Sequence, residues 1–303
     1  MLLAIDIGNT QTVLGLFEGP QLVHTWRLSS DATRTTDELR AFVVHLFHEA
    51  DRTVNTVSSS LELVIDQIII ASVVPALTHT WTELASDLSY INLNNNNRKR
   101  GNNAAPGNAP IIVNSAVAKD FSAHIDNPAE VGADRIANAV AARELYGAPA
   151  IVIDFGTATN IDIIDADGNY IGGVISPGLQ TSANALFETA ARLPVIDLEL
   201  PANVLGTTTK TAVQSGLLYG EAGKVDSLLR ALKAEQPTLN VPQLPVIATG
   251  GLASLLVPLI NQITHSDEHL TLRGLQLIAQ LSTAEVLDAA PARVCTEGEG
   301  VHV

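Results

Sequence analysis

Three short apolar runs break off at a polar residue followed by glycine. They are residues 2–6 (LLAID) ahead of Gly8, 151–154 (IVID) ahead of Gly156, and 246–248 (VIA) ahead of Thr249, Gly250 and Gly251. Runs of Ile, Val and Leu that stop in this way predict buried central strands feeding tight turns. The first two runs are alike beyond the strand. Residues 4–19 (AIDIGNTQTVLGLFEG) and 152–168 (VIDFGTATNIDIIDADG) share a strand, Asp-x-Gly, hydroxyl residues, a second strand and an acidic-glycine turn. One unit is used twice, once near the start of each half.

Helical spacing fills the intervals. Residues 35–50 place Leu39, Phe42, Val43, Leu46, Phe47 and Ala50 along one face, with Thr35 or Thr36 as the cap. Residues 133–146 carry Ile136, Val140 and Leu145 and stop at Gly147, with Pro149 just beyond. Further helices are expected over 214–232 and 252–262, and further strands over 67–74 and 110–115. Strands alternating with helices predict an α/β fold of layered sheets. The expected division is a first domain over 1–142, a second over 143–282 and a tail over 283–303. Residues 93–109, polar and Asn-rich with Pro and Gly, read as a surface insertion into the first domain.

Composition narrows the function. A chain of 303 residues that is 46% hydrophobic and 16% charged has the apolar content for large cores. No apolar run is long enough to cross a bilayer, and the opening MLLAID lacks the basic start of a signal peptide. The single cysteine, Cys295, excludes an internal disulfide framework and a cysteine-based zinc site. These features place the expected compartment in the cytoplasm, with no membrane partner. A net charge of −15 repels polyanions, so nucleic acid is not expected as a partner despite Arg98, Lys99 and Arg100 in the insertion.

The duplicated turns suggest chemistry. Gly8 lets backbone amides approach a ligand, and those amides together with the Thr10 and Thr12 hydroxyls can donate to phosphate oxygens. Asp6 cannot bind phosphate itself; its expected task is to hold Mg²⁺ through water. The second copy offers Asp154, Gly156, Thr157 and Thr159 for the same work from the facing side. Taken singly, an Asp-x-Gly turn is more often a plain hairpin; the duplication reverses that weighting. Neither GxxxxGK[ST] nor a GxGxxG after a strand occurs, so neither a P-loop kinase nor a dinucleotide enzyme is indicated. His45, His48 and Glu49 on the first helix, and His265 and His269 later, read as solvated edges ahead of metal ligands. Ser176, in VISPG, is not in a nucleophile elbow.

DIGNTQTV, EVGADR, DFGTAT, GGVISPG, QSGLLYG and ATGGL, in this order, resemble the type III pantothenate kinases over nearly the whole chain. That family belongs to the actin, sugar-kinase and heat-shock ATPase superfamily. The resemblance implies two ribonuclease H-like (actin-like ATPase) domains, duplicated strand–turn–strand phosphate-binding hairpins and an interdomain cleft. It implies ATP-dependent phosphorylation of pantothenate, with Mg²⁺ and K⁺ or NH₄⁺, in a homodimer. Residue by residue, it implies that Asp6, Ile7, Gly8, Asn9, Thr10, Gln11, Thr12 and Val13 form the first phosphate loop, with Thr157 a second ATP contact. Gly132, Ala133, Asp134, Arg135 and Thr209 match substrate contacts, with Asp134 the base, and Asp154 matches the monovalent-cation ligand. Three features depart: Ile125 stands where the family carries a substrate-contacting Tyr, Gln11 where it carries Asn, and the loop over 114–122 (NSAVAKDFS) has fewer glycines than the family's. Three readings remain beside the kinase: a nucleotide-binding regulator of the same fold, a kinase of another small alcohol or sugar, and an actin-like polymer or scaffold.

Overall fold

The computed structural model describes residues 1–55, 65–88, 109–118, 121–190 and 193–288. Its first half builds β1 (Leu2–Ile7), β2 (Gln11–Glu18), β3 (Gln21–Ser29), α1 (Thr36–Asn55), β4 (Gln67–Ser72), α2 (Pro75–Leu88) and β5 (Ile111–Ile112). Helix α3 (Ala133–Tyr146) leads to β6 (Ala150–Phe155), β7 (Ala158–Ile164), β8 (Tyr170–Pro177), α4 (Leu179–Thr189) and α5 (Thr209–Glu235). The chain closes with β9 (Val246–Thr249), α6 (Ala253–Leu256), β10 (His265–Ser266) and α7 (Leu270–Asp288).

The duplication in the sequence is a duplication of topology. One sheet runs β3-β2-β1-β4-β5 and the other β8-β7-β6-β9-β10. In both, the first strand pairs antiparallel with the second and parallel with the fourth. The third strands β3 and β8 were not foreseen. β3 is a half-exposed edge, and β8 carries Gly172 and Gly173, so neither has a clean apolar alternation.

The two-residue period of a strand decides which side chains enter which core. Leu3, Ile5 and Ile7 of β1 join Leu39, Val43 and Phe47 of α1 and Trp81 of α2 in one outer core. Ile151, Ile153 and Phe155 of β6 join Leu218, Val225 and Leu229 of α5 in the other. The opposite faces, with Ala4 of β1 and Val152 of β6, meet a central core made by α3 and α7. The molecule is therefore a sheet, a helix pair and a second sheet, with an outer helical layer on each side. Gly274 lets α7 cross α3 closely, since a Cβ there would lie 2.0 Å from the Ala137 carbonyl oxygen.

Several boundaries moved for physical reasons. Thr35 caps α1 reciprocally with Glu38: Thr35 N–H donates to Glu38 Oε2 (2.8 Å) and Glu38 N–H to Thr35 Oγ1 (3.3 Å). Phe42 leaves the apolar face and lies exposed beneath the Arg34 guanidinium, 4.9 Å from its ring centre. Helix α5 starts five residues before Gln214, behind a capping box between Thr208 and Thr211. The helix expected over 252–262 is one turn, α6, followed by a 3₁₀ turn at Val257–Leu259. Pro258 has no N–H to continue the α ladder. Residues 283–288, expected in the tail, belong to α7, which runs to Asp288. The division expected at 142/143 falls inside α3, which ends at Gly147. Residues 93–108, with Arg98, Lys99 and Arg100, and 289–303, with Cys295, lie outside the described residues.

Candidate active site

Strand period also sets the site. Asp6 ends β1 on the same face as Leu2 and Ala4, and Asp154 ends β6 on the same face as Ala150 and Val152. Both carboxylates are thus delivered to the space between the sheets, where α3 begins with Ala133 and Asp134. A cavity of about 580 Å³ opens there and is lined by Asp6, Asp134 and Asp154 together. The two hairpin turns form its floor, with Gly8, Asn9, Thr10 and Gln11 from one and Gly156 and Thr157 from the other. Each turn is tied by its glycine amide: Gly8 N–H donates to Gln11 O and Gly156 N–H to Ala158 O, both at 3.0 Å. The tips touch, with Thr10 Oγ1 2.7 Å from Thr157 Oγ1.

Burial and mutual repulsion of the carboxylates in this space outweigh the pull of the nearby Arg135 charge on Asp134 and Asp154. Burial raises the Asp6 pKa well above its ordinary value, and the charges of Asp134 and Asp154 raise it further. Asp154 is pushed up to about 7 by burial, then by Asp134 and Asp162. Asp134 is raised by burial, against the pull of a hydrogen bond from the Arg135 amide to its Oδ1 (2.8 Å). Desolvation therefore outweighs the hydrogen bonds and the Arg135 charge that favour its ionised form. The carboxylate oxygens gathered in this anionic space suit hard cations. Among the described residues no three Asp, Glu, His or Cys converge tightly enough to cage a metal directly. Ligation through water is what such a donor set can provide.

Some expected residues face elsewhere. Ile7 sits in the outer core. Thr12 is buried on that outer side, its hydroxyl 2.9 Å from Ser30 Oγ. Thr159 is its counterpart and donates to Glu221 Oε1 (2.7 Å), while Glu221 Oε2 meets Lys224 Nζ at 2.7 Å. Hence Thr10 and Thr157, and not Thr12 and Thr159, present hydroxyls to the cavity. Val13 lines it with its side chain. Gly132, Ala133, Arg135 and Thr209 are not on its wall. Gly132 caps α3 and leaves room for Asp134, whose Oδ1 would lie 2.5 Å from a Cβ at that position. Thr209 opens α5 on the exposed surface.

Arg135 is not an ordinary surface arginine. Its Nε and Nη2 converge on Asp162 Oδ1 at 2.7 and 2.6 Å, and its guanidinium lies over the Tyr170 ring. Burial works against its charge, but Asp162, Tyr170 and Asp134 together more than offset that and its pKa ends above the usual value. A Cβ on Gly173 would lie 2.6 Å from Arg135 Nη2, so the glycine of β8 makes room for the side chain. Ile125 packs against the central core.

Sequence reasoning missed Asn138, Asp162 and Arg27. Asn138 lies one helical turn beyond Asp134, accepts from Thr271 Oγ1 (2.8 Å) and draws the Asp154 pKa down through its amide, although Nδ2 lacks a hydrogen bond of good geometry. The i, i+4 spacing from Asp134 was the available signal. For Asp162 it was alternation: Asn160 and Asp162 are polar on one face of an otherwise apolar strand. Arg27 of β3 also lines the cavity and reaches Glu268 in the other half at 2.6 Å.

Duplicated sheets that hold a carboxylate-lined cleft between two Asp-x-Gly hairpins make up the actin-like ATPase fold. Two solved structures share this fold at low identity. The "conserved putative Baf family transcriptional activator" from Campylobacter jejuni has TM-score 0.51 and 17% identity, covering 93% of this chain and 99% of that one. The activator of the 2-hydroxyisocaproyl-CoA dehydratase from Clostridium difficile, with bound ADPNP, has TM-score 0.51 and 11% identity, covering 97% and 99%. Sequence comparison is narrower. The family model for type III pantothenate kinase matches residues 2–231. A type III pantothenate kinase of Moorella thermoacetica is 38% identical over 283 residues, 93% of this chain and 100% of the relative. Another, of an Exiguobacterium species, is 41% identical over 278 residues, 92% and 98%. The chain belongs to the type III pantothenate kinase family.

Proposed function

We propose that this chain transfers the γ-phosphoryl group of ATP to the hydroxyl of pantothenate, forming 4′-phosphopantothenate and ADP in the first step of coenzyme A biosynthesis. The observation that carries the reading is the convergence of Asp6, Asp134 and Asp154 on one cavity that is also lined by the two hairpin turns. Phosphoryl transfer is mostly positioning and charge stabilisation, and this arrangement serves both.

The hairpin amides around Gly8 and Gly156, with the Thr10 and Thr157 hydroxyls, hold the phosphates. Asp134 orients the acceptor hydroxyl and takes its proton as the new O–P bond forms and the bond to the ADP oxygen breaks. A pKa raised by burial makes its ionised form a stronger base than an exposed Asp. Bound Mg²⁺, held through water by Asp6, and K⁺ or NH₄⁺ near Asp154 would supply the positive charge that lets these carboxylates coexist with the phosphates. Arg135, buttressed by Asp162, follows Asp134 on α3; with Gly132, Ala133 and Thr209 it is a substrate contact only as the family resemblance implies, since all four lie off the cavity wall. With Ile125 in place of a tyrosine, that subsite has one hydroxyl fewer. A homodimeric cytoplasmic enzyme without nucleic-acid or membrane partners completes the reading; no described helix is long and apolar enough to cross a membrane.

An ADP-release assay with pantothenate, with and without K⁺, tests it. ADP release that requires both pantothenate and K⁺ is the expected result. Tight ATP binding with no turnover would replace the kinase by a nucleotide-binding regulator, and turnover only with another alcohol would replace the substrate.

A further inference from the structure

Arg27 stands apart from the rest of the cavity wall. Among the described lining residues it is the only lysine or arginine, against the carboxylates of Asp6, Asp134, Asp154 and Glu268. It sits on β3 directly across from Val13, itself on the cavity wall, so the hairpin register aims it into the cleft. Its side chain crosses from the first sheet to the second half of the molecule. There Nη2 meets Glu268 Oε1 at 2.6 Å, and Nη1 lies 3.8 Å from where a Cβ on Gly251 would stand. Gly250, next to that turn, is against the Asp154 carboxylate, which places Arg27 near the phosphate end of the cavity. Nearby His269 also lines the cavity, and its buried Nδ1 has no hydrogen-bond partner among the described residues.

The pair with Glu268 is poorly suited to a purely structural task. Its side chains are 37% and 63% exposed, and ion pairs in such settings add little to stability. An arginine that exchanges one exposed carboxylate for a phosphate gives up little and gains a bidentate, charge-assisted contact. We infer that Arg27 is a nucleotide-binding residue whose guanidinium pairs with the phosphate oxygens of the bound nucleotide, Glu268 being its resting counter-ion. The inference rests on the reading of the cleft as a nucleotide site and adds to it a cation from the first half of the chain. It also gives the exchange a direction: removing the Glu268 charge frees Arg27 for the ligand.

Calorimetric binding of ATP, ADP, AMP and adenosine, with KM values for ATP and pantothenate, tests this on Arg27→Ala, Arg27→Lys, Glu268→Gln and the double variant of Arg27→Ala with Glu268→Gln. Arg27→Ala is expected to weaken ATP about 10- to 100-fold, the range of one charged hydrogen-bonded contact. The loss shrinks as phosphates are removed and vanishes for adenosine, while KM for pantothenate stays within about twofold. Glu268→Gln is expected to tighten ATP, and Arg27→Lys to fall between the wild type and Arg27→Ala. Unchanged ATP affinity in Arg27→Ala overturns the inference. So does an equal loss for adenosine, which would move the contact to the nucleoside. So does a Glu268→Gln variant that weakens ATP as much as Arg27→Ala, with the double variant no worse, because the pair would then be only a brace. If melting curves show that Arg27→Ala does not fold, Arg27→Lys and Glu268→Gln decide by the same signs. Wild-type protein that binds ATP but does not phosphorylate pantothenate removes the proposed reaction and leaves the Arg27 binding comparison intact.

Discussion

The hydroxyls of Thr10 and Thr157, 147 residues apart in the chain, meet at 2.7 Å where the two hairpins face each other. Their hydrogen bond is exposed and contributes on the order of 1 kcal/mol or less to stability. Its position matters more: both hydroxyls lie on the cavity floor, where a phosphate oxygen would accept from each. Thr10→Val and Thr157→Val should each raise KM for ATP roughly tenfold with small changes in melting temperature. Because the two residues are in contact and share one ligand, the double variant should be worse than either single by much less than the product. Independent, multiplying effects in a double-mutant cycle would show that the tips do not act on the same phosphate.

Asp134 is placed beside Asp6 and Asp154 but on a helix and not on a hairpin, so its removal should separate catalysis from nucleotide binding. Asp134→Asn keeps the shape and the hydrogen bond from the Arg135 amide while losing the ability to take a proton. Turnover is expected to fall about 10²- to 10⁴-fold, the range for loss of a general base. ATP affinity should hold or improve, since one negative charge leaves the cavity. Unchanged ADP release would take the role of base away from Asp134.

How far the sequence could reach is visible in these same residues. The two hairpins were legible because each packs a whole device into a contiguous stretch, and strand period alone sends Asp6 and Asp154 to the inner face. The same period, applied residue by residue, would have sent Thr12 and Thr159 outward, where they pair with Ser30 and Glu221. Motif reading treated each loop as one block and missed that alternation. The Arg135–Asp162 pair was harder. It joins α3 to β7 across 27 residues, and only the packing of the second sheet on α3 makes them neighbours. Arg27 was invisible for a related reason: it lies on an edge strand of weak pattern, and its partner is 241 residues away.

Asp154 gives the apoprotein a pH dependence with a defined sign. Its carboxyl is pushed up to about 7, chiefly by burial and then by Asp134 and Asp162. A carboxyl with a raised folded pKa binds its proton more tightly in the native state. The native state therefore loses stability as pH rises from the ordinary carboxyl range through about 7. Asp154→Asn abolishes that titration with little change in shape. In chelator and without K⁺, its melting temperature should exceed that of the wild type at pH 8 by more than it does at pH 5. Added K⁺ and Mg²⁺ should shrink the advantage by stabilising only the wild type's ionised carboxylates. An equal difference at both pH values would mean that electrostatics around Asp154 are not what the substitution relieves.

Two glycines with the same φ of 90°, Gly147 and Gly250, allow backbone strain to be separated from crowding at the site. Gly147 ends α3 in open space, with nothing within 4 Å of where an alanine methyl would stand. A Cβ on Gly250 would instead stand 2.4 Å from Asp154 Oδ1 and 2.7 Å from the Phe155 carbonyl carbon. Gly147→Ala should therefore cost only the conformational strain, on the order of 1–2 kcal/mol in denaturant unfolding. Gly250→Ala carries that cost and must also displace the Asp154 carboxylate or the β6–β7 turn. Its loss of stability should be larger, and its ATP binding should weaken while that of Gly147→Ala stays at the wild-type value. Equal stabilities and equal ATP affinities in the two variants would mean that Gly250 is needed for its dihedral alone and that its closeness to Asp154 has no part in holding the nucleotide.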